Sequence, residues 1–157
     1  MPSAAIRPYR PADAPALLAL CRESIRRVAS RDYNAEQITA WASDEIDPAA
    51  WAARFDGRYA IVAEADGQIA GFTELEPDGH IDRFYVSADH QRQGVGRALM
   101  ENLRAEASRR QLPVIFLEGS VTAKPFFELQ GFRTIASQRV VVRGVEFVNH
   151  RMERQLR

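Results

Sequence analysis

Apolar residues in the first third of the chain recur at helical spacing. The stripe consists of Leu17, Leu18, Leu20, Cys21, Ile25 and Val28. It predicts a helix over residues 14–30, for which Asp13 is a plausible N-cap. A second helix is predicted over 35–42, with Asn34 as its N-cap, and a third, short helical piece ends near Gly57.

The middle of the chain has the pattern of strands instead. The runs predicted to be strands are 4–9, 59–65, 68–75 and 80–86. The sequences Asp66-Gly67 and Pro77-Asp78-Gly79 separate the last three runs, and such short turns join antiparallel neighbours. We therefore expect an antiparallel meander over residues 59–86.

The last third combines one amphipathic helix with further strands. The apolar face of the helix, which begins after Gly94 and stops at Pro113, consists of Val95, Leu99, Leu103 and Ala107. The apolar run 114–117 is typical of a strand buried on both faces. A short helix over 123–130 and two strands around Arg143-Gly144 follow. The element order is mixed α+β, with a right-handed parallel crossover from residue 80 to residue 117.

Composition and charge exclude several classes of function. The chain has 157 residues, with 21 Lys plus Arg against 21 Asp plus Glu, so its net charge gives no hint of a nucleic-acid or membrane partner. The one cysteine, Cys21, excludes an internal disulfide and is expected to be a buried thiol. The chain begins without the apolar h-region of a signal peptide, so we expect one soluble, cytoplasmic domain over residues 1–157.

The segment QRQGVGRALM, residues 91–100, places two glycines between a predicted strand and a predicted helix. Helix N-termini carry unpaired N–H groups and a partial positive charge, which together bind anions such as phosphate. Glycine permits close approach of the backbone to such a ligand. The P-loop pattern is absent, and so is the third glycine of a dinucleotide fingerprint. An anion-binding turn is therefore the functional interpretation, against a plain strand-to-helix turn.

Two motifs resemble the GNAT superfamily of N-acetyltransferases. The string Gln91-x-x-Gly94-x-Gly96 is similar to the (Q/R)-x-x-G-x-(G/A) pyrophosphate loop of that family, and it follows a strand ending Phe84-Tyr85-Val86. Downstream, an A-x-x-F-Y-x-x-x-G-F pattern is matched by Ala123, Phe126, Phe127, Gly131 and Phe132. The strings DYNAEQITAWA, TAKPFFELQGF and RGVEFVNHRM also resemble a YafP-like bacterial branch.

The resemblance implies the acyl-CoA N-acyltransferase fold, with a mixed, mostly antiparallel central sheet of about six or seven strands and about four flanking helices. It implies that acetyl-CoA lies between the splayed ends of two strands, with its pyrophosphate on the N–H groups of residues 92–97. The implied cofactor-binding residues are Phe84, Tyr85, Val86, Gln91, Arg92, Gln93, Gly94, Val95, Gly96, Arg97, Ser120, Ala123, Lys124 and Phe127.

The resemblance also suggests catalytic candidates. Acetyl transfer requires a neutral amine, and family members carry a glutamate or histidine base near the positions of His80 and Asp82. Either residue can serve, with Glu74 as a third candidate; a solvated histidine and a salt-bridged aspartate are the alternatives. The family's usual acid, a tyrosine, falls at Phe127 here, so either the thiolate leaves unassisted or Tyr33 or Tyr85 substitutes.

The resulting function is transfer of the acetyl group of acetyl-CoA to a primary amine of a small molecule or peptide, by direct attack in a ternary complex. Because Phe127 has no proton to give, a non-catalytic acyl-CoA-binding or sensing domain is the alternative. Nucleic-acid binding through Arg104, Arg109 and Arg110 is disfavoured because glutamates interrupt the patch. His80, His90 and His150 show no ligand spacing, so no metal is expected. Family members are often dimers, so a homodimer is also considered.

Overall fold

The computed structural model describes residues 4–157. Within that range the chain forms seven strands and five α-helices, in the order predicted from the sequence. The strands are β1 (Ala5–Pro8), β2 (Tyr59–Ala65), β3 (Gln68–Leu75), β4 (Ile81–Val86), β5 (Val114–Ser120), β6 (Arg133–Val142) and β7 (Val145–Gln155). The helices are α1 (Ala14–Arg27), α2 (Ala35–Trp41), α3 (Pro48–Ala53), α4 (Val95–Arg109) and α5 (Lys124–Leu129).

The strands form two antiparallel sheets that meet at a single point. The first has the order β1-β2-β3-β4 and contains the predicted meander, and the second has the order β5-β7-β6. One parallel bridge, between His80 and Phe116, joins β4 to β5. Beyond that bridge the two strands pair only with their other neighbours. The predicted mixed, mostly antiparallel central sheet of six or seven strands is therefore present, and it is divided where β4 and β5 splay apart.

Helices cover both faces of the first sheet. The stripe of α1, with Leu17 and Ile25 almost fully buried, packs on one face together with Phe72 and α3. On the other face Leu99 and Val95 of α4 pack against Ile61 and Ala63 of β2, whereas the intervening Val62 belongs to the α1 face. The two faces follow from the alternation of side chains along the strands. This packing fixes the start of α4 beside the end of β4.

Local predictions were confirmed at some positions and wrong at others. The Asn34 side chain accepts a hydrogen bond from the Gln37 N–H at 2.8 Å and begins α2 as expected. Asp13 does not cap α1 with its side chain, because its carboxylate bonds the Arg7 guanidinium instead. Cys21 is buried, and burial raises the pKa of its thiol to about 12.

The strand predicted at residues 114–117 is longer than expected and its burial alternates. β5 continues to Ser120, with Ile115 and Leu117 buried and Glu118 exposed. Burial on both faces was therefore wrong, because the second sheet has one open face near the splay. Among residues 4–157, no helix has the length and apolar character needed to span a bilayer.

Candidate functional site

A cavity of about 770 Å³ opens where β4 and β5 diverge. Its walls come from both strands, the loop before α4, the start of α5, the end of α1 and the β6–β7 hairpin. Twelve of the fourteen predicted cofactor-binding residues line it: Phe84, Tyr85, Val86, Gln91, Arg92, Gly94, Val95, Gly96, Arg97, Ser120, Ala123 and Phe127. Residues that are distant in sequence, namely 84–97 and 120–127, thus share one site, as the resemblance implied.

The loop at one end of the cavity presents the N-terminus of α4. Gly94 is the residue before the helix and has φ 81°, in the left-handed region. The first helical hydrogen bond of this segment runs from the Ala98 N–H to the Gly94 carbonyl, so the N–H groups before Ala98 have no helical acceptor. A Cβ at Gly94 would meet nothing within 4 Å. Gly94 is therefore required by its backbone conformation, and the space beside it is open to a ligand.

At the second glycine of the motif, Gly96, neighbouring side chains leave little room for a Cβ atom. A Cβ at Gly96 would lie 3.0 Å from ring atoms of Phe126 and 3.5 Å from a methyl group of Val86. Glycine at this position lets α4 approach α5 and the end of β4. Close packing is thus one reason for glycine at position 96, and a direct role of Gly96 in ligand binding stays a prediction.

Several predicted ligand residues use their side chains within the protein. The Gln91 amide donates to the carbonyls of Val86 and Ser87, at 3.0 and 3.2 Å. Ser120 Oγ accepts from the N–H of Ala123, the residue that precedes α5, at 3.0 Å. These contacts shape the loop and the start of α5.

Two predicted cofactor residues, Gln93 and Lys124, are absent from the lining of the cavity. The Gln93 amide contacts the Asp89 carbonyl at 3.4 Å. Lys124 contacts Glu128 at 3.7 Å. Both side chains follow local partners, so a role for either residue in cofactor binding stays a prediction.

The floor between the strands is aromatic. Phe127 is almost fully buried and packs against Phe84, Phe126 and Phe132, with ring centroids 5.3–5.7 Å apart. Its ring has no group that donates a proton, so it forms an apolar wall along the gap. An extended, largely apolar arm fits such a surface.

Three buried polar atoms lack a hydrogen-bond partner among residues 4–157, and all three belong to residues that line this cavity. They are His90 Nδ1, Thr122 Oγ1 and Asn149 Oδ1. Buried polar groups are nearly always paired in folded proteins, so these three atoms require water or a polar ligand in the cavity as partners. The amides and phosphates of an acyl-CoA supply such partners, and the donor set therefore fits that molecule.

His80 lies at the bridge between the sheets and outside the lining of the cavity. Its Nδ1 is 2.6 Å from Glu76 Oε1, and its Nε2 is 2.8 Å from Glu118 Oε1. Burial lowers the pKa of His80, but the two carboxylates outweigh it and the net shift is upward. The solvated alternative is excluded, because both ring nitrogens have protein partners. The raised pKa means that the imidazole holds its proton to a higher pH than a free histidine does, which makes His80 alone less available as a base.

Asp82 lines the cavity but is held by two arginines. Its Oδ2 accepts from Arg54 at 2.6 Å and from Arg58 at 2.7 Å. Burial raises the pKa of Asp82, and these guanidiniums more than offset it, so the pKa is lowered. This is the salt-bridged arrangement weighed above. A carboxylate that binds protons less readily than usual is poorly suited to be the base.

Glu74 has no free oxygen for chemistry. It is fully buried, bonded through both carboxylate oxygens to Arg83 at 2.8 and 2.7 Å, and bonded to Arg58. Buried carboxylates require such partners. Its role is therefore structural.

Tyr33 lines the cavity as a buried residue rather than an exposed loop residue. Its hydroxyl donates to the Val148 carbonyl at 3.0 Å and accepts from the Val121 N–H at 2.9 Å. It therefore connects the end of β5 to β7.

The Tyr85 hydroxyl accepts a hydrogen bond from Trp41 Nε1 at 3.2 Å. Burial raises the pKa of both Tyr33 and Tyr85. Both hydroxyl groups are already engaged, which makes them weak acids for a leaving group.

Sequence reasoning missed Glu118. It follows the apolar run of β5, is exposed to the cavity, and contacts His80. The only signal was a single carboxylate directly after four apolar residues, which is also common on any strand surface. Glu118 and Asp82 are the two carboxylates among the described residues of the lining.

Glu76, His80 and Asp82 place three potential metal ligands within 4.8 Å of one another. Arg58 already contacts Glu76 at 3.5 Å and Asp82 at 2.7 Å, while His80 binds Glu118. The Arg58 guanidinium therefore already supplies the positive charge that a metal ion would bring to Glu76 and Asp82.

Comparison with known proteins gives consistent results. Residues 29–154 match the model of a family described as acetyltransferase (GNAT) domain. The chain is 35% identical over 147 residues to the uncharacterized N-acetyltransferase YafP of Escherichia coli (strain K12), covering 94% of this chain and 93% of that protein.

Solved structures agree with that match. A GCN5-related N-acetyltransferase from Rhodopseudomonas palustris is 33% identical, with a TM-score of 0.95 over 99% of this chain and 98% of its own. The yncA protein of Salmonella typhimurium, solved with acetyl-CoA, shares the fold at 22% identity, with a TM-score of 0.72 over 99% of this chain and 95% of its own.

Proposed function

The chain belongs to the acetyltransferase (GNAT) family, and from that premise we propose how its cavity binds acetyl-CoA and acetylates a primary amine. Members of this family are acyltransferases that act on amines. The observation that carries the proposal is the coincidence, in one cavity, of the α4 N-terminus and the splayed edges of β4 and β5. The helix end suits a pyrophosphate, and the gap suits an extended arm.

In this proposal the N–H groups at residues 92–97 hold the pyrophosphate, and Arg92 and Arg97 add positive charge. Phe84, Phe126 and Phe127 bury the apolar part of the pantetheine arm. The orphaned atoms of Thr122 and Asn149 pair with its polar groups. Acetyl-CoA supplies an activated thioester, and the protein supplies position and proton transfer.

In this proposal Glu118 removes the proton from the amine, and His80 contacts and positions the Glu118 carboxylate. Glu118 is the lining carboxylate that no guanidinium contacts among the described residues, and His80 fixes its orientation at 2.8 Å. A free alkylamine has a pKa of about 10.4, so the substrate arrives as an ammonium ion and must lose a proton before it attacks. Glu118 attracts the ammonium ion and accepts that proton directly or through water.

The leaving thiolate needs no acid in this proposal. Thiols have a pKa of about 8.5, roughly two units below that of an alkylamine. A thiolate is therefore a better leaving group than the amine that attacked. Phe127, where the family's usual tyrosine falls, is compatible with direct attack in a ternary complex.

Two measurements test the function. Titration calorimetry with acetyl-CoA should give a saturable binding heat, and release of free thiol should depend on added primary amine. Binding without turnover on any amine would favour the sensing domain, the second candidate that Phe127 keeps open. Absence of binding would contradict both functions.

The proposal also covers the location of the protein, the extent of its domain and its oligomeric state. A cytoplasmic location follows from the need for acetyl-CoA, and residues 1–157 are treated as one catalytic domain. A homodimer is supported by the unpaired edge of β6, where Ile135 and Val141 are exposed. Light scattering during gel filtration tests the homodimer, and a monomer mass at all concentrations would contradict it.

A further inference from the structure

Part of the cavity lining is built from aromatic rings. Tyr33, Trp41 and Phe147 form a mutually contacting group, with centroid distances of 5.3, 5.7 and 6.1 Å. All three residues line the cavity. We refer to these three rings as the aromatic wall. It combines residues from the α1–α2 connection, α2 and β7, and the β7 residue lies more than a hundred positions from the other two in sequence.

The polar atoms of this region are already satisfied by the protein. The Tyr33 hydroxyl bonds Val148 and Val121, and the indole N–H of Trp41 donates to Tyr85. The aromatic wall is therefore a largely buried apolar part of the lining, with few free donors or acceptors for a ligand. Further apolar lining comes from Ile25, Val28, Val140 and Val142.

The charges of the lining also restrict the ligand. Among the described lining residues the carboxylates are Asp82 and Glu118, and Asp82 is neutralised by Arg54 and Arg58. Glu118 can therefore receive one ammonium group. The described lining has no second unpaired carboxylate that could bind another ammonium group. Removing a second ammonium group from water without such a partner would be costly.

From these observations we propose that the acceptor is a monoamine whose primary amino group is attached to an aromatic or other apolar body. The amino group lies at Glu118 and the apolar body lies against the aromatic wall. This inference rests on the proposed acetyltransferase function and names its substrate class. Polyamines, small polar amines and peptides are the competing classes.

The test compares primary amines with the wild-type protein at saturating acetyl-CoA. The panel contains 2-phenylethylamine, hexylamine, ethanolamine, spermidine and glycylglycine. We expect kcat/KM for 2-phenylethylamine to exceed that for ethanolamine by ~100-fold, because each buried methylene group contributes roughly 10-fold or more to discrimination. Spermidine and glycylglycine should resemble ethanolamine. A preference for spermidine, glycylglycine or ethanolamine overturns the inference and leaves the acetyltransferase function standing.

Variants locate the preference in the aromatic wall. Phe147→Leu removes the ring at similar volume and should lower the ratio of kcat/KM for 2-phenylethylamine to that for hexylamine by ~10-fold. The matched control is Phe132→Leu, because Phe132 is equally buried but lies outside the lining. An unchanged ratio in Phe147→Leu overturns the location. If Phe147→Leu fails to fold, the wild-type panel still decides the substrate class. No turnover with any amine, despite acetyl-CoA binding, overturns the function together with the inference.

Discussion

At the scale of single residues, two carboxylates at one cavity have different properties because their neighbours differ. Asp82 is bonded to two guanidiniums that keep a permanent positive charge, so its proton affinity is low. Glu118 has one neighbour, the imidazole of His80, whose charge depends on pH. Only Glu118 combines access to the cavity with a partner that can share a proton.

This difference predicts the result of removing one charge. Glu118→Gln should lower kcat by ~100-fold, because general base catalysis contributes a factor of about 10²–10⁴. The KM for acetyl-CoA should change little, since the amide keeps the size of the side chain. Steady-state kinetics with 2-phenylethylamine or another accepted amine provides the measurement.

The matched control is Glu146→Gln on β7, an exposed glutamate that contacts Arg139 away from the cavity. It should retain wild-type kcat. If Glu118→Gln also retains wild-type kcat, the assignment of Glu118 as proton acceptor is wrong. His80 is then the next candidate to test as the base.

At the scale of elements, the start of α4 depends on one backbone conformation. Gly94 and Gly144 have φ values of 81° and 79°, and a Cβ at either position would meet nothing within 4 Å. Gly94 precedes the helix at the cavity, whereas Gly144 lies in the β6–β7 turn. Substitutions at these two positions should cause similar backbone strain, but only a substitution at Gly94 should affect a ligand in the cavity.

Gly94→Ala and Gly144→Ala should each lower the free energy of unfolding by about 1–2 kcal/mol, because left-handed backbone is unfavourable for alanine. Only Gly94→Ala should also weaken acetyl-CoA binding, by ~10-fold, because strain at the turn shifts the N–H groups that precede Ala98. Urea denaturation and calorimetry measure the two effects. Equal acetyl-CoA affinity in both variants would show that the α4 N-terminus does not bind the pyrophosphate.

At the scale of the whole molecule, a network of charges connects the first sheet to the second. Its acidic members are Glu74, Glu76, Asp82 and Glu118, and its guanidiniums are Arg54, Arg58 and Arg83. His80 contacts two of these carboxylates, Glu76 and Glu118. Burial lowers the pKa of His80, and these two contacts more than offset that effect, so the pKa is raised.

A raised pKa makes His80 stabilising at low pH. The contribution is fully present below the ordinary pKa of about 6.5 and is lost as pH rises through the folded-state pKa. The difference in unfolding free energy between wild type and His80→Gln should therefore be larger at pH 6 than at pH 9, as measured by urea denaturation. His150→Gln is the control, because the His150 ring contacts the uncharged Ser137 hydroxyl. A difference that grows with pH would contradict the protonated state.

The sequence by itself determined the elements and the family. Helical stripes and strand runs are local patterns, and burial of one face requires them, so all twelve elements were predicted in the correct order. The loop motif at residues 91–96 and the second motif at 123–132 both contribute to the cavity lining. The first motif was recognisable because Gly94 reflects a local backbone conformation that favours glycine.

Only the tertiary structure decided which charged and polar groups meet at the cavity. Glu118 meets His80 across 38 positions of sequence, and Tyr33 bonds Val148 across 115 positions. Such contacts depend on how two sheets meet, which local patterns do not specify. The same folding that paired Asp82 with Arg54 and Arg58 also left Glu118 facing the cavity. A residue's proton affinity depends on the charges that the fold brings within a few ångströms, and these came from distant parts of the chain.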